Sequence, residues 1–149
     1  MADKLSPSPR DASIVERFID LGAGLFMRAN AITTTAAGVG TLGRRVISAA
    51  NTNETAVKAA PGQVYGIEMA NNAAYAVFLK LYNKATAPNL AVDIPVRTIQ
   101  IPPGGRCEIN RPNGMVFSTG IAYAITKLVA DNDTTALAAA DVVGSIDYV

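Results

Sequence analysis

The sequence predicts a mainly β protein: an antiparallel β-sandwich, jelly-roll or immunoglobulin-like, preceded by an extended N-terminal arm with one short amphipathic helix. Residues 55–149 are short segments in which apolar and polar residues alternate with period two. Turn-forming Gly, Pro, Asn and Asp interrupt these segments roughly every 8–12 residues, as in sandwich domains. Residues 1–54 do not show this period-two alternation. We therefore expect two parts, an arm over residues 1–54 and a sandwich domain over residues 55–149.

The arm is predicted to begin with a helix over residues 9–21 or about that range. Ser8 is a candidate N-cap, Pro9 suits the first helical position, and Gly22 is a candidate stop. A helix of about three turns does not persist alone in water, so its apolar stripe must dock on something. Both its own domain and a neighbouring subunit fit this requirement. The candidate subunit-interaction residues are Ile14, Val15, Phe18 and Ile19.

Residues 22–50 are rich in Gly, Ala and Thr and show only weak periodicity. Such a length is unusual for a connection inside a compact domain. The segment is either a flexible linker or an extended arm that its surroundings order. Scattered apolar residues, among them Phe26, Ile32 and Leu42, argue against a pure linker.

Period-two alternation within residues 55–149 predicts seven or eight strands. In the third, Leu79 and its apolar neighbours at positions 77 and 81 face one side, and Lys80 lies on the opposite, charged side. Residues 102–105 and 111–114 read as turns. The predicted strands are residues 55–60, 63–71, 75–84, 95–101, 106–110, 115–118, 121–129 and 141–148.

The composition argues against most site chemistry. The chain has no histidine and one cysteine, so neither a Ser-His-Asp site nor a transition-metal site of the usual ligands is expected. Cys107 has no partner for an intramolecular disulfide, which fits synthesis in a reducing compartment. Cys107 is expected to be a buried or edge-strand thiol, since no histidine exists to activate it as a nucleophile. We predict no catalytic residue, no metal and no cofactor.

Three weaker readings stay open. Residues 131–134 offer oxygen ligands that suit calcium but lack the glycine and terminal glutamate of an EF-hand loop. Glu68, Glu108 and Asp147 all lie on predicted strands, where two of them could form a glycosidase pair. Several aromatic residues could line a ligand face, although core or subunit contact is the default reading. These aromatic residues are Tyr65, Tyr75, Phe78, Tyr82 and Tyr123.

Charge and hydropathy limit the kinds of partner that the sequence predicts. The formal net charge is +1, which gives no global attraction to nucleic acid or to an anionic membrane. No segment reaches the roughly 18 apolar residues that span a bilayer. The first ten residues are polar and proline-broken, unlike a signal peptide. If the protein works outside a cell, we expect it to leave by lysis or as part of a particle.

A series of phrases recurs in order through residues 55–149, and together they resemble a β-sandwich module common in the genomes of tailed bacteriophages. The phrases cover residues 57–60, 62–66, 78–88, 93–95, 99–103, 117–126 and 131–134. Residues 1–54 lie outside this resemblance.

The resemblance implies an uncharacterised component of a virion, made in the host bacterial cytoplasm. One placement is a capsid decoration (cement) protein, with the sandwich outward and the arm laid across the shell. Another is a tail, baseplate or fibre-adaptor protein whose arm joins rings or fibres. The expected partners are the major capsid protein or other virion proteins, together with further copies of this chain. A carbohydrate-binding module is a third class, disfavoured because aromatic residues make up only 6% of the chain.

Overall fold

The computed structural model describes the backbone of residues 5–7, 15–20 and 26–29, and both backbone and side chains of residues 40–149. The chain divides into two compact units, Met1–Val39 and Gly40–Val149.

The described residues of the first unit form a three-stranded antiparallel sheet. Its strands are β1 (Leu5–Pro7), β2 (Val15–Asp20) and β3 (Phe26–Ala29), in the order β1-β2-β3.

This sheet differs from the helix expected over residues 9–21, because residues 15–20 are a strand. Residues 9–14 and 21 lie outside the described residues, and so does candidate Ile14. Val15, Phe18 and Ile19 lie in β2, and their side chains are outside the description. β-branched and aromatic residues favour strands. In a short apolar segment, the spacing of such residues does not distinguish a helix from a strand.

The second unit is a sandwich of two four-stranded antiparallel sheets. We call them the β4 sheet, in the order β4-β11-β6-β9, and the β5 sheet, in the order β5-β10-β7-β8. This part of the prediction, a mainly β antiparallel sandwich, is confirmed. The strands are β4 (Leu42–Ile47), β5 (Thr55–Lys58), β6 (Gly62–Asn71), β7 (Val77–Asn83), β8 (Arg97–Ile101), β9 (Arg106–Phe117), β10 (Ile121–Thr126) and β11 (Val142–Tyr148).

The pairing of these strands follows one rule. Within the sandwich, the first four strands pair in reverse order with the last four: β4 with β11, β5 with β10, β6 with β9 and β7 with β8. Two further pairs, β11 with β6 and β10 with β7, join these pairs into the two sheets. The second unit is therefore a long antiparallel ribbon of strand pairs, wound so that successive pairs fall alternately in the two sheets.

The main core lies between the sheets. Alternate residues of each strand point inward, and their apolar side chains form one buried cluster. From the β4 sheet come Val46, Val64, Ile67, Met69, Val142 and Ile146; from the β5 sheet come Val77, Leu79, Leu81, Ile101, Ile121, Tyr123 and Ile125. Because both sheets contribute, neither can lose its partner without exposing this cluster.

The second unit begins earlier than the domain boundary expected at residue 55. β4 pairs along its whole length with β11, from Leu42 opposite Tyr148 to Ile47 opposite Val143, and Val46 is buried in the core. Residues 40–54, assigned from sequence to the arm, thus belong to the sandwich unit in this structure. The sequence did not predict this strand, because Gly43, Arg44 and Arg45 interrupt the alternation of apolar and polar residues.

Residues 111–114 are not a turn between two strands but part of β9. Val64 pairs with Met115 and Gly66 with Asn110, so four residues of β9 bulge out opposite Tyr65. Gly114 has a φ of +68°, a conformation that glycine adopts without strain. Turn-forming residues here build a wide bulge at a sheet edge.

Candidate interaction surfaces

The outer face of the β5 sheet is covered by two loops. β10 alternates large residues, which enter the main core, with Ala122, Ala124 and Thr126, which face outward. These small side chains lie opposite the large outward residues of β7, with Ala122 beside Tyr82 and Ala124 beside Lys80. Every residue of β10 is buried, because loops cross over this outer face as well.

Lys80 lies beneath the loop that follows β10. Its side chain is 0% exposed, and its Nζ donates a hydrogen bond to the carbonyl oxygen of Ala130. Burial lowers the pKa of Lys80, and the negative charges of Asp133 and Asp131 act in the opposite direction. The outward, charged face expected of β7 is thus confirmed in its direction, but Lys80 itself is not in solvent.

The loop above Lys80 is held by Asp133. One carboxylate oxygen accepts the Leu128 N–H at 2.8 Å, and the other accepts the Thr135 N–H at 3.1 Å and the Thr135 hydroxyl at 2.6 Å. Burial raises the pKa of Asp133, but these bonds outweigh it and the net shift is downward. The aspartate considered as a calcium ligand therefore organises its own loop.

The second covering loop follows β7 and packs over Tyr82. Leu90 joins Tyr82, Ala122 and Ala124 in a small apolar cluster separate from the main core. Burial raises the pKa of Tyr82 to about 12, and the charges of Asp131, Asp93 and Glu54 add to this effect. Among the described residues, its hydroxyl is the single buried side-chain polar atom without a hydrogen-bond partner.

Asp93 fixes the course of this second loop. It pairs with the Lys84 ammonium group and accepts the backbone N–H of Asn89 at 2.7 Å. The Asn89 carbonyl oxygen in turn accepts the N–H of Asp93 at 2.8 Å and that of Val92 at 3.1 Å. The bond from Lys84 is the main cause of a lowered pKa at Asp93. The loop is thus cross-braced along its length.

Both covering loops expose large apolar side chains. Val92, Ile94 and Val96 are 72%, 77% and 60% exposed, and Leu128 and Val129 are 56% and 62% exposed. We call these five the loop apolar set. Exposed apolar side chains on an ordered loop are typical of contact surfaces. Because the loop is already ordered, binding costs little additional conformational entropy.

The outer face of the β4 sheet carries a shallow polar groove. Glu68 and Glu108 lie directly opposite each other in register, and Asp147 lies opposite Gly66, two residues from Glu68. All three predicted strand carboxylates therefore share one face. Glu68 and Glu108 line two adjoining hollows of about 250 and 160 Å³. Asp147, Tyr65 and Asn110 line the smaller of the two.

The aromatic residues considered as a ligand face do not come together. Tyr123 lies in the main core and Tyr82 in the small outer cluster. Tyr75 packs against the main core, donates to Asp141, and has the Lys127 Nζ 4.3 Å from its ring centroid. Only Tyr65 borders the groove. The default reading as core residues describes most of this set.

The remaining candidates can also be placed. Cys107 is half-buried and packs against the main core, and burial raises the pKa of its thiol. Between residues 40 and 149 and in the three N-terminal strands, no cluster of three or more His, Cys, Asp or Glu side chains is placed to hold a metal ion. A search of the same residues for a helix able to cross a bilayer finds none.

Sequence reasoning missed the loop apolar set. Residues 85–93 were expected to be an ordinary loop, and the strand was expected to begin at residue 95. The available signal was the spacing of Val92, Ile94 and Val96, three β-branched residues at period two around Asp93 and Pro95.

Comparison with models of protein families, with curated proteins and with solved structures finds no match to this chain.

Proposed function

We propose that this chain is a non-enzymatic structural protein of a tailed-bacteriophage particle, acting as a capsid decoration protein. The observation that carries a structural role is the loop apolar set, which exposes apolar side chains on loops braced by Asp93 and Asp133. Such a surface serves contact with other proteins rather than reaction with a small substrate.

The fold supports the same proposal. Pairing of the first four strands with the last four in reverse order is the wiring of a jelly roll, an architecture found in viral capsid domains and lectins. A fold alone does not define a function. The assignment to a phage particle rests on the resemblance of residues 55–149 to the phage sandwich module.

In this proposal the first unit anchors the chain, and the second unit is displayed. Ile14, Val15, Phe18 and Ile19 remain the proposed contact residues toward the major capsid protein or another virion protein. The separation of the chain into two compact units fits such a division of labour. Tail, baseplate or fibre-adaptor placement would use the same two parts at lower copy number.

Quantitative mass spectrometry of purified particles tests this function. Hundreds of copies per particle, in proportion to the major capsid protein, are expected for a decoration protein. A few dozen copies or fewer would place the chain in the tail, and absence from particles would contradict a virion role. Ile14→Asp combined with Phe18→Asp should remove the chain from particles while leaving the sandwich folded. Val116→Asp, at an exposed position of β9, serves as the matched control.

The polar groove of the β4 sheet favours a second candidate function, the binding of a carbohydrate. Carboxylates, an amide and one tyrosine ring bordering a shallow groove are groups that bond to sugar hydroxyls. Glycan-array binding by the chain, lost on Glu68→Gln and retained on Glu54→Gln outside the groove, would support it. Absence of binding to every glycan would leave the structural role alone.

A further inference from the structure

The two sheets of the second unit leave four edge strands in the described part of the chain: β4, β5, β8 and β9. An edge strand turns every second N–H and C=O group away from its neighbour, and proteins protect such edges against pairing with other chains.

Three of the four edges are protected. β9 carries Pro112 within its four-residue bulge, which interrupts any straight ladder. β5 has only four residues, and its pairing with β10 contains a register shift at Ile121. In β4, antiparallel pairing of the full strand with a copy of itself would place Arg44 opposite Arg45, twice. Like charges directly opposite each other are unfavourable.

β8 lacks all three protections. Its five residues, Arg97–Ile101, hold no proline, its pairing with β7 shows no register shift, and within the described residues it pairs with β7 alone. Thr98, Ile99 and Ile101 are β-branched and favour an extended backbone. Pro95 and Pro102 bound the strand, so a docked strand has a defined length.

The charges of β8 suit a second copy of the same strand. Full antiparallel overlap of residues 97–101 centres the pair on Ile99, with Thr98 opposite Gln100 of the second copy. Arg97, the strand's one charged residue, then lies opposite Ile101 rather than opposite another arginine. Unlike the self-pairing of β4, this arrangement brings no like charges together.

The same overlap brings apolar groups together beyond both ends of the strand. Val96, which is 60% exposed, comes opposite Pro102 of the second copy, and Pro102 is itself exposed. Val92 and Ile94 precede it on the braced loop described above. Contacts of this kind add apolar burial to the backbone hydrogen bonds of the new strand pair.

We propose that two copies of this chain associate through β8, antiparallel and centred on Ile99, so that two β5 sheets join into one continuous sheet across a two-fold axis. The apolar residues of the preceding loop border this junction. The proposal deepens the proposed function by naming the surface at which copies meet.

Sedimentation of the purified full chain at increasing concentration tests the association. A reversible monomer–dimer equilibrium is expected. Val96→Lys should raise its dissociation constant at least about tenfold, whereas Val116→Lys, an equally simple change at a 72% exposed valine of β9, should leave it unchanged. A chain that stays monomeric, or a dimer equally affected by both variants, would overturn the proposal.

A disulfide trap tests the register. Directly opposite residues of an antiparallel pair have Cα atoms about 4.5–5.5 Å apart, within the range that a disulfide spans. In a Cys107→Ser background, Thr98→Cys with Gln100→Cys should give a covalent dimer on mild oxidation, and Gln100→Cys alone should not. Equal cross-linking of both would contradict the register. Neither assay needs a particle, so their failure would leave the particle copy number as a separate result.

Discussion

Asn71 is the buried polar side chain on which two turns converge. Its Nδ2 donates to the carbonyl oxygens of Tyr75, Ile101 and Pro102 at 2.7, 3.2 and 3.0 Å, and its Oδ1 accepts the Ala73 N–H at 2.9 Å. One amide thus ties the connection between β6 and β7 to the end of β8. Only a side chain with both a donor and an acceptor satisfies these groups.

Asn71→Asp is expected to destabilise the protein by about 3 kcal/mol or more at pH 7, because a buried carboxylate would face three carbonyl oxygens without a hydrogen to donate. The folded state would raise the pKa of the new carboxyl group. The loss should therefore be small below the unfolded value of about 3.9 and grow as pH rises through the folded pKa.

Urea unfolding at pH 4 and pH 7 measures this difference. Asn72→Asp, at the exposed neighbouring position, is the control and should change stability little at either pH. Equal free energies of unfolding for the two variants at pH 7 would show that the hydrogen bonds of Asn71 contribute little.

Lys80 has the opposite pH signature. Because burial lowers its pKa, the unfolded chain binds more protons than the folded chain between the folded pKa and the ordinary value of 10.5. The charged form therefore costs stability at neutral pH, and stability rises with pH across that window. Titratable groups facing Lys80 are Asp133 and Asp131 on the covering loop.

Lys80→Met should leave the protein at least as stable at pH 7 and should remove this rise in stability at alkaline pH. Replacing a buried charge by an apolar side chain of similar volume is often neutral or stabilising. Chemical unfolding at several pH values from neutral upward gives the comparison. Lys84→Met, which removes the partly exposed partner of Asp93, is the control. An alkaline slope unchanged in the Lys80 variant would contradict the assignment.

At the scale of the strands, close approach between β11 and β6 sets the strictest requirement. Gly144 lies in β11 opposite Met69 of β6 and Val46 of β4. A Cβ atom at Gly144 would come within 1.9 Å of the Glu68 carbonyl oxygen and 2.8 Å of the Met69 Cα. Both are backbone atoms, so the strands would have to move apart.

Gly144→Ala is therefore expected to cost about 3 kcal/mol, the upper part of the range for overpacked cores. Gly43→Ala on β4 is the matched change, since its nearest atom would be the Asp147 Oδ1 at an ordinary 3.6 Å. That variant should be neutral or slightly stabilising, because alanine loses less backbone entropy than glycine. Thermal unfolding of both proteins provides the measurement, and similar melting temperatures would refute the clash.

Which strands the sequence predicts depends on how they are covered. β6, β7, β8 and β11 were predicted within a few residues because large residues alternate along them. β4 was missed, since only Val46 is buried there. The bulge in β9 was read as a turn, because Pro112 and Gly114 favour either structure. Covering loops such as that of Leu90 leave no local period, and their positions depend on residues distant in sequence.

At the scale of the whole molecule, the point where the sandwich begins is testable by truncation. A chain beginning at Gly40 should melt cooperatively with a strand-rich spectrum, because it keeps β4. A chain beginning at Asn51 loses β4 and with it Val46. It also loses Ser48, whose hydroxyl donates to the Ala138 carbonyl at 3.1 Å and accepts the Val142 N–H at 3.0 Å.

We expect the shorter chain to melt at a lower temperature or to aggregate through the uncovered side of β11. Circular dichroism and differential scanning calorimetry compare the two chains. Equal melting temperatures would show that β4 is an accessory strand and that the sandwich begins near residue 55.

The site was less predictable than the fold. Composition argued from the outset against histidine-based chemistry, and the strand carboxylates were correctly placed on strands. Their meeting on one face of the β4 sheet depends on a register that joins β6 with both β9 and β11, which no local pattern contains. The loop apolar set likewise depends on Asp93 and Asp133, whose bonding partners only the folded chain brings into reach.

Reverse-order pairing of the strands also governs how this protein folds. Leu42–Ile47 emerges first from the ribosome among the sandwich strands, yet it has no partner until Val142–Tyr148 has been made. Within Gly40–Val149, β7 and β8 are the only paired strands that are consecutive in sequence, and they lie at the midpoint of the ribbon. Pairing that begins there would extend outward toward both ends. Such long sequence separations favour slow folding, in milliseconds to seconds. During synthesis the early strands have no partner, so their unpaired edges make the incomplete chain prone to aggregation.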